Sequence, residues 1–474
     1  MNDVDVLIAG GGISGLATAW WLAREGLTVE VWERDPYPGG KIQTDRKDGY
    51  VTERAATLIM NFRPEVNRLV TESGVAANKV LPVPVRNRYL LHRQCLVAVP
   101  MRLGTMVSSP LWSLRGKLRL LAEPFIPAGG HAQETVSEFI TRRLGREVLE
   151  RAMEPYVGGV LASDPDLANA YAVLPRLTAL ERRYGSLALG VLAHRILQRR
   201  TGCPTESFSF YGGMSTLVET LARTRGVRLR LSRSVEALIP DGTGGWYAIG
   251  NCAQREHTLR ARQVVLSVPA DVAACLVDPL DRELGGLLRG IEYAPLSVVH
   301  LGFDRSAVRH TLDGTGFLTP RHASLGLNGN LWTSTLFPDR APLGKVLLTA
   351  YVGGARSPGA VDWDDDRSVG VVLQELKPLL GIDAAPEMVR IDRHIQALPL
   401  YHGAHHGRMT EVVRHLQELP GFHLEANYHG GVSVRDRIVC GNNAATRILS
   451  VIGHSLRVTS DGLGPQGLTW ERGI

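Results

Sequence analysis

The 474-residue sequence has no long apolar run. A helix that crosses a bilayer needs roughly 20 consecutive apolar residues, and no stretch of this chain approaches that length. The first predicted strand begins at Val4, which leaves no room for a signal peptide before it. We therefore expect a cytoplasmic protein that at most lies on the cytoplasmic side of a membrane.

Cysteine is scarce as well. The sequence has five cysteines, and no two of them form a C-x-x-C pair: Cys95, Cys203, Cys252, Cys275 and Cys440. This scatter argues against a disulfide scaffold and against a zinc site, and it suits a reducing compartment. We expect no bound metal.

Aromatic residues make up only 6% of the chain, and the arginines are not interleaved with them in any recognisable nucleic-acid-binding module. We therefore expect no nucleic-acid partner. The net charge is nevertheless +6, and the isoelectric point is near 9.1. A basic protein of this kind attracts acidic partners, either an anionic membrane surface or a substrate that carries carboxylates.

What the sequence does contain is a complete dinucleotide-binding unit at its start. Residues 4–9 form an almost wholly apolar run typical of a strand buried on both faces. Gly10, Gly12 and Gly15 follow as a G-x-G-x-x-G turn, and Ser14 opens a predicted helix over residues 14–25. A second strand is predicted over residues 28–32, and Glu33 comes directly after it. Ordered in this way, the unit favours a bound dinucleotide over a purely structural βαβ unit.

Each residue of this unit has a separate physical task. Gly10 allows the tight turn, Gly12 lets the backbone approach a pyrophosphate, and Gly15 lets helix and strand pack closely. The positive helix N-terminus then faces the phosphates, and the Glu33 carboxylate can accept hydrogen bonds from ribose hydroxyls.

The predicted structure changes from strands to helices at about residue 102 and stays helical to about residue 205. A hairpin is predicted over residues 82–100, with its tip at residues 92–94. Residues 111–121 then read as a basic amphipathic helix, which lies either in a membrane interface or over the core. Further helices are predicted over residues 135–144, where Thr135 and Glu138 have capping-box spacing, and over residues 146–153 and 177–198.

The rest of the chain returns to strands. Strands are predicted over residues 208–211, 228–235, 264–269 and 422–426, and a β-rich region with the character of an antiparallel sheet over residues 296–303, 316–319, 331–335 and 346–351. Helices are predicted over residues 215–223, 365–380 and 434–448, and the segment over residues 453–474 is expected to pack poorly. The predicted segments are therefore 1–80, 206–280 and 396–474 for a dinucleotide-binding domain, 81–101 and 281–395 for a substrate domain, and 102–205 for a helical insert.

A family resemblance rests on motifs that run along the whole chain. A second glycine pair, Gly39-Gly40, resembles flavoprotein oxidases and desaturases of the amine-oxidase type, and this favours FAD over NAD. The segment YVGGAR (351–356) also follows the family's order, and the segments RRLG (142–145), GVLASD (159–164) and LERRYGSL (180–187) are much more specific than the shared flavin motif. Together they resemble the oxygen-dependent porphyrinogen oxidases, which act on protoporphyrinogen IX or coproporphyrinogen III. The resemblance extends to about residue 448.

The resemblance implies an α/β protein (α+β overall) with a Rossmann-type FAD-binding domain, a mixed-sheet substrate domain and a helical insert that docks on a membrane. It also implies a six-electron oxidation in two-electron steps, in which hydride passes to flavin N5 and O₂ reoxidises the flavin to give H₂O₂. The protein would supply orientation and a dry slot, so no catalytic side chain is expected. The oligomeric state stays open, with a homodimer as one option.

The family's pattern assigns roles to specific residues. Arg88 would hold a propionate, Gly159 would leave room for the macrocycle, and Phe317, Leu318 and Tyr351 would line the slot. Non-covalent FAD would be bound by a larger set: Gly10, Gly11, Gly12, Ile13, Ser14, Gly15, Glu33, Arg34, Gly40, Lys41, Ala55, Ala56, Thr57, Leu58, Val235, Gly431, Val432, Ser433 and Val434.

The sequence also departs from that pattern near the flavin. Arg54-Ala55-Ala56 stands where Gly-Pro is usual after Glu53, and a cysteine is common where Arg437 stands. Three other positions also differ from the family: Leu400, Ala404 and Ala426. Two alternatives therefore stay open: an FAD oxidase or desaturase for another planar acidic metabolite, and a flavin-bound protein that holds a tetrapyrrole without oxidising it.

Overall fold

The computed structural model describes residues 3–85, 87–99, 109, 111–198, 205–252, 255–323 and 326–453. The terminal segment that is expected to pack poorly lies outside the described residues, apart from Gly453. Within these ranges, no helix combines the length and the apolar composition that a membrane span requires.

The first sheet has seven strands and contains the N-terminal unit. In order across the sheet, six of them are Val227–Arg230, Val29–Trp32, Asp3–Ala9, Arg255–Leu266, Trp246–Cys252 and Ser234–Pro240. The first four are parallel to one another and the last two are antiparallel additions, whereas the seventh, Phe422–Leu424, pairs in parallel with the far end of Arg255–Leu266.

One strand prediction in this sheet is wrong. Residues 228–235 do not form a single strand, because Ser232 has a φ of 53° and breaks the run between two strands of the sheet. The break is held from outside: Ser232 N donates to Asp35 O at 3.0 Å, and Arg233 N donates to Glu33 O at 2.8 Å. Those partners lie almost two hundred residues away in the chain, so no local pattern signals the break.

Helices cover both faces of the first sheet. On one face the helix Ile13–Arg24 packs beside the C-terminal helix Val434–Ile452, and Trp21 Nε1 donates to Ile438 O at 3.3 Å. On the other face the helices Ala270–Val277 and Arg282–Arg289 share a buried cluster with Trp246 and Phe422. This arrangement explains why residues 4–9 are apolar at every position that the sheet buries.

The second sheet also has seven strands, and it is mixed. Its order is Met388–Pro399, Tyr293–Asp304, Lys345–Gly353, Leu327–Leu331, Gly314–Leu318, Asn87–His92 and Cys95–Ala98. All neighbours are antiparallel except Gly314–Leu318 and Asn87–His92, which are parallel. The helix Asp365–Leu380, predicted with these same bounds, packs on one face.

The predicted strand over residues 331–335 is wrong. The strand is Leu327–Leu331, and a short helix, Thr333–Leu336, follows it. Asparagine and glycine are depleted in strands, so the sequence LNGNL does not read as one. Pairing on both sides holds it: Asn330 lies opposite Phe317 in one neighbouring strand and opposite Ala350 in the other.

The region between residues 111 and 198 is helical. Its helices are Leu114–Leu121, Val136–Leu144, Arg146–Val148, Glu154–Leu161, Ala170–Val173, Pro175–Tyr184 and Leu187–Gln198, with a π-helical turn at Leu149–Met153. The predicted capping box is confirmed, because Thr135 Oγ1 accepts from Glu138 N and Glu138 Oε2 accepts from Thr135 N. The amphipathic helix begins at Leu114 rather than at residue 111, and Leu111 and Trp112 are buried ahead of it.

The remaining elements connect these parts. The short strands are Thr44–Lys47 with Tyr50–Glu53, and Ile59–Asn61 with Glu206–Phe210 and Lys79–Val80. The remaining α-helices are Pro64–Glu72, Ser215–Ala222 and His405–Gln417. The first sheet receives strands from three separate stretches of the chain, and the division into six segments stays a prediction.

Candidate cofactor and substrate cleft

One continuous cavity joins the two sheets. Its volume is about 3040 Å³, and its wall runs from the glycine turn at Gly10 and Gly12 to Phe317 and Tyr351 of the second sheet. Pockets for a single small molecule usually measure about 300 to 1,000 Å³. The cleft therefore has room for a dinucleotide and for a second large ligand beside it.

The three glycines of the turn have different surroundings. Gly10 has a φ of +103°, and a Cβ there would lie 2.4 Å from Ser267 O. A Cβ on Gly15 would lie 2.1 Å from Gly10 O, so no side chain fits between the helix and the turn. A Cβ on Gly12 would meet nothing within 4 Å, because Gly12 borders the open cleft.

The helix that follows this turn presents its N-terminus to the cleft. Gly12 is the N-cap, no described side chain caps the helix there, and Ile13 and Ser14 line the cavity. Backbone N–H groups at a helix start attract anions. This end of the cleft therefore suits the phosphates of a dinucleotide.

Glu33 lines the cavity beside the glycine turn. Its buried carboxylate accepts from Gly11 N at 2.6 Å and from Asp35 N at 2.9 Å, which fixes it beside the glycine turn. Arg34 lines the cavity with an exposed side chain. Val235 lines the same part of the cavity. Its strand, Ser234–Pro240, lies beside Glu33 because Arg233 N donates a hydrogen bond to Glu33 O.

The second glycine pair packs against the first. Gly39 N donates to Gly11 O at 2.8 Å, and a Cβ on Gly40 would lie 3.4 Å from Gly12 Cα. Lys41 follows and donates from Nζ to the backbone oxygens of Gln396 and Ala397. Burial lowers the pKa of Lys41 to about 8. Lys41 thereby connects the Gly39-Gly40 turn to the edge strand Met388–Pro399 of the second sheet.

The loop of Ala55, Ala56, Thr57 and Leu58 lines the middle of the cleft. Thr57 O accepts from Ser209 Oγ at 2.8 Å, which fixes the loop from behind. The departure at Arg54 is accommodated at the cleft wall, where its guanidinium lies 3.3 Å from the Asp392 carboxylate.

Glu53 lies behind this loop and is 2% exposed. Its carboxylate accepts from Thr44 Oγ1 at 2.7 Å and from Met214 N at 2.9 Å, and it lies 3.7 Å from Arg340 Nη1. Burial raises the pKa of this carboxyl to about 7. A buried polar network therefore supports the loop of residues 55–58 from behind.

The start of the C-terminal helix forms the opposite wall. Ser433 is the N-cap and accepts from Asp436 N at 3.1 Å, and Gly431, Val432 and Val434 line the cavity with it. A Cβ on Gly431 would lie 2.6 Å from Asp436 Oδ2. These residues present backbone donors at a helix N-terminus, as the sequence predicts.

Arg437, one of the departures from the family's pattern, is almost wholly buried below this wall. Its guanidinium donates to Ala426 O and, at 2.6 Å, to His429 O. Another departure, Ala426, is thus the direct partner of Arg437. Leu400 is buried among Ala162, Ala397 and their neighbours.

The predicted substrate residues meet at the second sheet. Phe317 and Leu318 pair with Tyr89 and Leu90 of the parallel strand, and Tyr351 lies opposite Gly329. Arg88 is exposed on that strand and lines the cleft, and its guanidinium has no hydrogen-bond or ion-pair partner among the described residues. All five predicted positions, Gly159 included, border one cavity.

Gly159 has a packing function that the sequence does not reveal. A Cβ there would lie 2.6 Å from Leu318 Cδ2 and 3.0 Å from Asn328 O. The glycine therefore allows the helix Glu154–Leu161 to approach the second sheet closely. Its role in leaving room for a macrocycle stays a prediction.

Sequence reasoning missed a basic and aromatic group in the same cleft. Phe62, Arg176 and Arg435 line the cavity together. They come from three distant segments, so only the fold brings them together.

Comparisons with known proteins agree with this geometry. Residues 13–449 match the family model described as flavin containing amine oxidoreductase. Protoporphyrinogen oxidase 2, chloroplastic/mitochondrial, of Arabidopsis thaliana is 30% identical over 94% of both chains, and coproporphyrinogen III oxidase of Bacillus subtilis (strain 168) is 28% identical over 94% of this chain and 98% of its own.

A solved structure from Exiguobacterium sp. 255-15 superposes with a TM-score of 0.77 at 23% identity, over 94% of this chain and 98% of that chain, and shows the fold alone. The resemblance found in the sequence is thereby confirmed. The chain belongs to the flavin-containing amine oxidoreductase family, together with the protoporphyrinogen and coproporphyrinogen III oxidases, and is a flavin-dependent oxidoreductase.

Proposed function

We propose that this chain is an FAD-dependent oxidase of tetrapyrrole biosynthesis that converts protoporphyrinogen IX or coproporphyrinogen III to the porphyrin, with O₂ as acceptor and H₂O₂ as product. One observation carries the proposal: a single cleft joins a dinucleotide cradle to an apolar slot that has an arginine at its edge. The names of the relatives support the choice of substrate.

The cofactor half of the cleft fits FAD on its own geometry. Gly12 leaves open space at a helix N-terminus, where the pyrophosphate of a dinucleotide would lie, and Glu33 is fixed where a ribose would lie. When bound, FAD would accept hydride from the substrate and pass the electrons to O₂. The start of the C-terminal helix, Gly431 to Val434, would hold the flavin end by backbone donors.

The substrate half fits a flat apolar ring system with acidic substituents. Phe317, Leu318 and Tyr351 would contact the faces of the macrocycle and exclude water from it. The Arg88 guanidinium has no described partner, so it can pair with a propionate through two parallel hydrogen bonds. No described side chain needs to move a proton for this arrangement to orient the substrate.

A direct assay tests the proposal. Purified protein with its flavin is mixed with each porphyrinogen in air, and porphyrin fluorescence is followed beside an anaerobic sample. We expect a rapid gain of fluorescence in air with H₂O₂ as the second product. Turnover only on another planar acidic substrate would support the second flavoenzyme interpretation, and tight porphyrin binding without turnover would support the non-catalytic one; either result contradicts the proposal.

We also propose that the helix Leu114–Leu121 docks on an anionic membrane surface. Leu114, Leu118 and Leu121 are 74%, 59% and 73% exposed, and Phe125 just beyond them is 87% exposed. Arg115 and Lys117 belong to the same helix. An exposed apolar stripe with basic neighbours is typical of helices that lie in a lipid interface.

Flotation with lipid vesicles tests this docking. We expect binding to vesicles that contain phosphatidylglycerol, weaker binding to neutral phosphatidylcholine vesicles, and loss of both in a Leu118→Glu, Leu121→Glu variant. The matched control is Leu192→Glu, which alters another exposed leucine of the helical region. Equal flotation of the double variant and the control would contradict docking through this helix.

A further inference from the structure

Two arginines from distant segments lie against one aromatic ring in the cleft. Phe62 follows the strand Ile59–Asn61, and the Cζ atom of Arg176 lies 3.4 Å from the centroid of its ring. The Cζ atom of Arg435 lies 4.2 Å from the same centroid. Stacking on a ring fixes the plane of a guanidinium. The Arg435 guanidinium donates to Asp436 Oδ1 and to Met60 O, whereas Arg176 has no hydrogen-bond partner among the described residues, so the edge N–H groups of Arg176 are available to an anion.

The charges around this ring are not balanced. Arg435 forms an ion pair with Asp436 at 2.8 Å, and nearby Arg63 forms one with Glu65 at 2.9 Å. Arg176 has no carboxylate within ion-pair distance among the described residues. Burial in the wall, with the neighbouring charges of Arg435 and Arg63, lowers the pKa of Arg176 to about 10, so it stays cationic at neutral pH.

This group borders the predicted substrate slot on a different wall from Arg88. Tyr156 lies close enough to interact with the charges of Arg176 and Arg435, and it lies one turn before Gly159 on the helix Glu154–Leu161. Gly159 in turn abuts Leu318 of the slot. Arg88, in contrast, belongs to the second sheet. The cleft therefore presents cations from two walls.

We propose that Arg176, held against Phe62 and assisted by Arg435, is a second carboxylate-binding subsite, and that the site is built for a tetracarboxylate porphyrinogen such as coproporphyrinogen III. The inference rests on the proposed oxidase function and specifies its substrate. Coproporphyrinogen III carries a propionate on every pyrrole, so its carboxylates reach both walls of a slot. Protoporphyrinogen IX has propionates on two adjacent pyrroles only, and its opposite side carries vinyl groups.

The physical reason for the preference is the cost of an unmatched charge. A guanidinium that is covered by a vinyl-bearing edge loses water without gaining a partner, and an unsatisfied buried donor is destabilising. A propionate at the same place gains charge-assisted hydrogen bonds. Arg176 thus favours the tetracarboxylate and disfavours the dicarboxylate.

Replacement of Arg176 by leucine tests the subsite. We expect Arg176→Leu to lower kcat/KM for coproporphyrinogen III by about 10- to 100-fold, the effect of losing one charge-assisted interaction. We expect kcat/KM for protoporphyrinogen IX to stay the same or to rise, with flavin content unchanged. Arg176→Lys should recover part of the loss, because a lysine keeps the charge without the planar fork.

The matched control is Arg183→Leu. Arg183 lies on the same helix, Pro175–Tyr184, is exposed, and is outside the cleft lining. It should leave both substrates unaffected. An equal loss on both porphyrinogens in Arg176→Leu, or a wild-type preference for protoporphyrinogen IX, would overturn the subsite while leaving the oxidase function intact.

Equilibrium binding separates the subsite from the oxidase function. The flavin-loaded protein is titrated with coproporphyrin III, a tetracarboxylate, and with deuteroporphyrin IX, a dicarboxylate, and quenching of porphyrin fluorescence is measured. Selective weakening of coproporphyrin binding in Arg176→Leu would support the subsite even if neither porphyrinogen were oxidised. Equal weakening of both ligands, or of neither, would refute it.

Discussion

The two halves of the cleft are constructed in different ways. The glycine turns and Glu33 of the cofactor half come from one continuous stretch, and backbone contacts such as Gly39 N to Gly11 O hold them together. The substrate half takes Arg88, Gly159, Phe317 and its other lining residues from separated segments. A turn whose backbone accepts only glycine can be recognised from the local sequence. A wall assembled from separated segments cannot.

The strongest test of this difference is Gly15→Ala. The new Cβ would lie 2.1 Å from Gly10 O. Because the backbone of residue 15 fixes the position of the Cβ and Gly10 O is itself a backbone atom, no rotamer change relieves the contact. Overpacking usually costs about 1 to 3 kcal/mol, and we expect the upper end here. The free energy of unfolding in urea should fall by about 3 kcal/mol, and the purified variant should carry no flavin.

Gly12→Ala is the matched control, because its Cβ would meet no protein atom within 4 Å. We expect the flavin-free form of this variant to unfold at the same urea concentration as flavin-free wild type. Flavin binding should still weaken, because the methyl group enters the space predicted for the pyrophosphate. Equal destabilisation in both variants would contradict this division of roles, in which Gly15 is needed for packing and Gly12 for ligand binding.

The same contrast explains which parts of the fold the sequence could predict. The first βαβ unit, the capping box at Thr135 and the helix Asp365–Leu380 depend on neighbours in the chain, and all three were predictable. The helix expected over residues 177–198 is two helices instead. Gly185 ends the first at a φ of 69°.

The second of these helices is capped from a distance. Glu123 accepts from Leu187 N at 2.9 Å and from Ala188 N at 3.0 Å. Ser186 Oγ also accepts from Leu189 N at 3.2 Å, so Gly185 and Ser186 together are a local signal for the break. Only the Glu123 contacts, which come from more than sixty residues earlier in the chain, leave no local signal. The group of Phe62, Arg176 and Arg435 was unpredictable for the same reason.

A second test concerns Glu53, which connects the two halves. His300 of the second sheet contacts Glu53 O at 3.1 Å, and burial raises the pKa of the Glu53 carboxyl from 4.5 to about 7. The folded protein therefore holds this proton more tightly than the unfolded chain does. Its contribution to stability is fully present below about pH 4.5 and is lost as the pH rises to about 7.

Glu53→Gln removes this titration and leaves the other groups in place. We compare the free energy of unfolding of wild type with that of the variant at each pH. The advantage of wild type over the variant should fall by up to about 3 kcal/mol as the pH rises through this window, since one unit of pKa shift corresponds to about 1.4 kcal/mol. Urea unfolding of both proteins at several pH values measures the difference, and the titration of buried His300 cancels in it. A difference that is independent of pH would show that folding does not raise the pKa of Glu53.

The smallest expected effect belongs to Arg88, on the side-chain wall. Arg88→Ala removes an exposed guanidinium that has no described partner, so neither stability nor flavin content should change. Losing one propionate contact should raise KM for the porphyrinogen about 10-fold, with a smaller change in kcat. Steady-state kinetics with both porphyrinogens measure this, with Arg93→Ala at the hairpin tip as the control. Unchanged kinetics would remove Arg88 from the site, and loss of flavin would show that the two halves of the cleft are coupled through this strand.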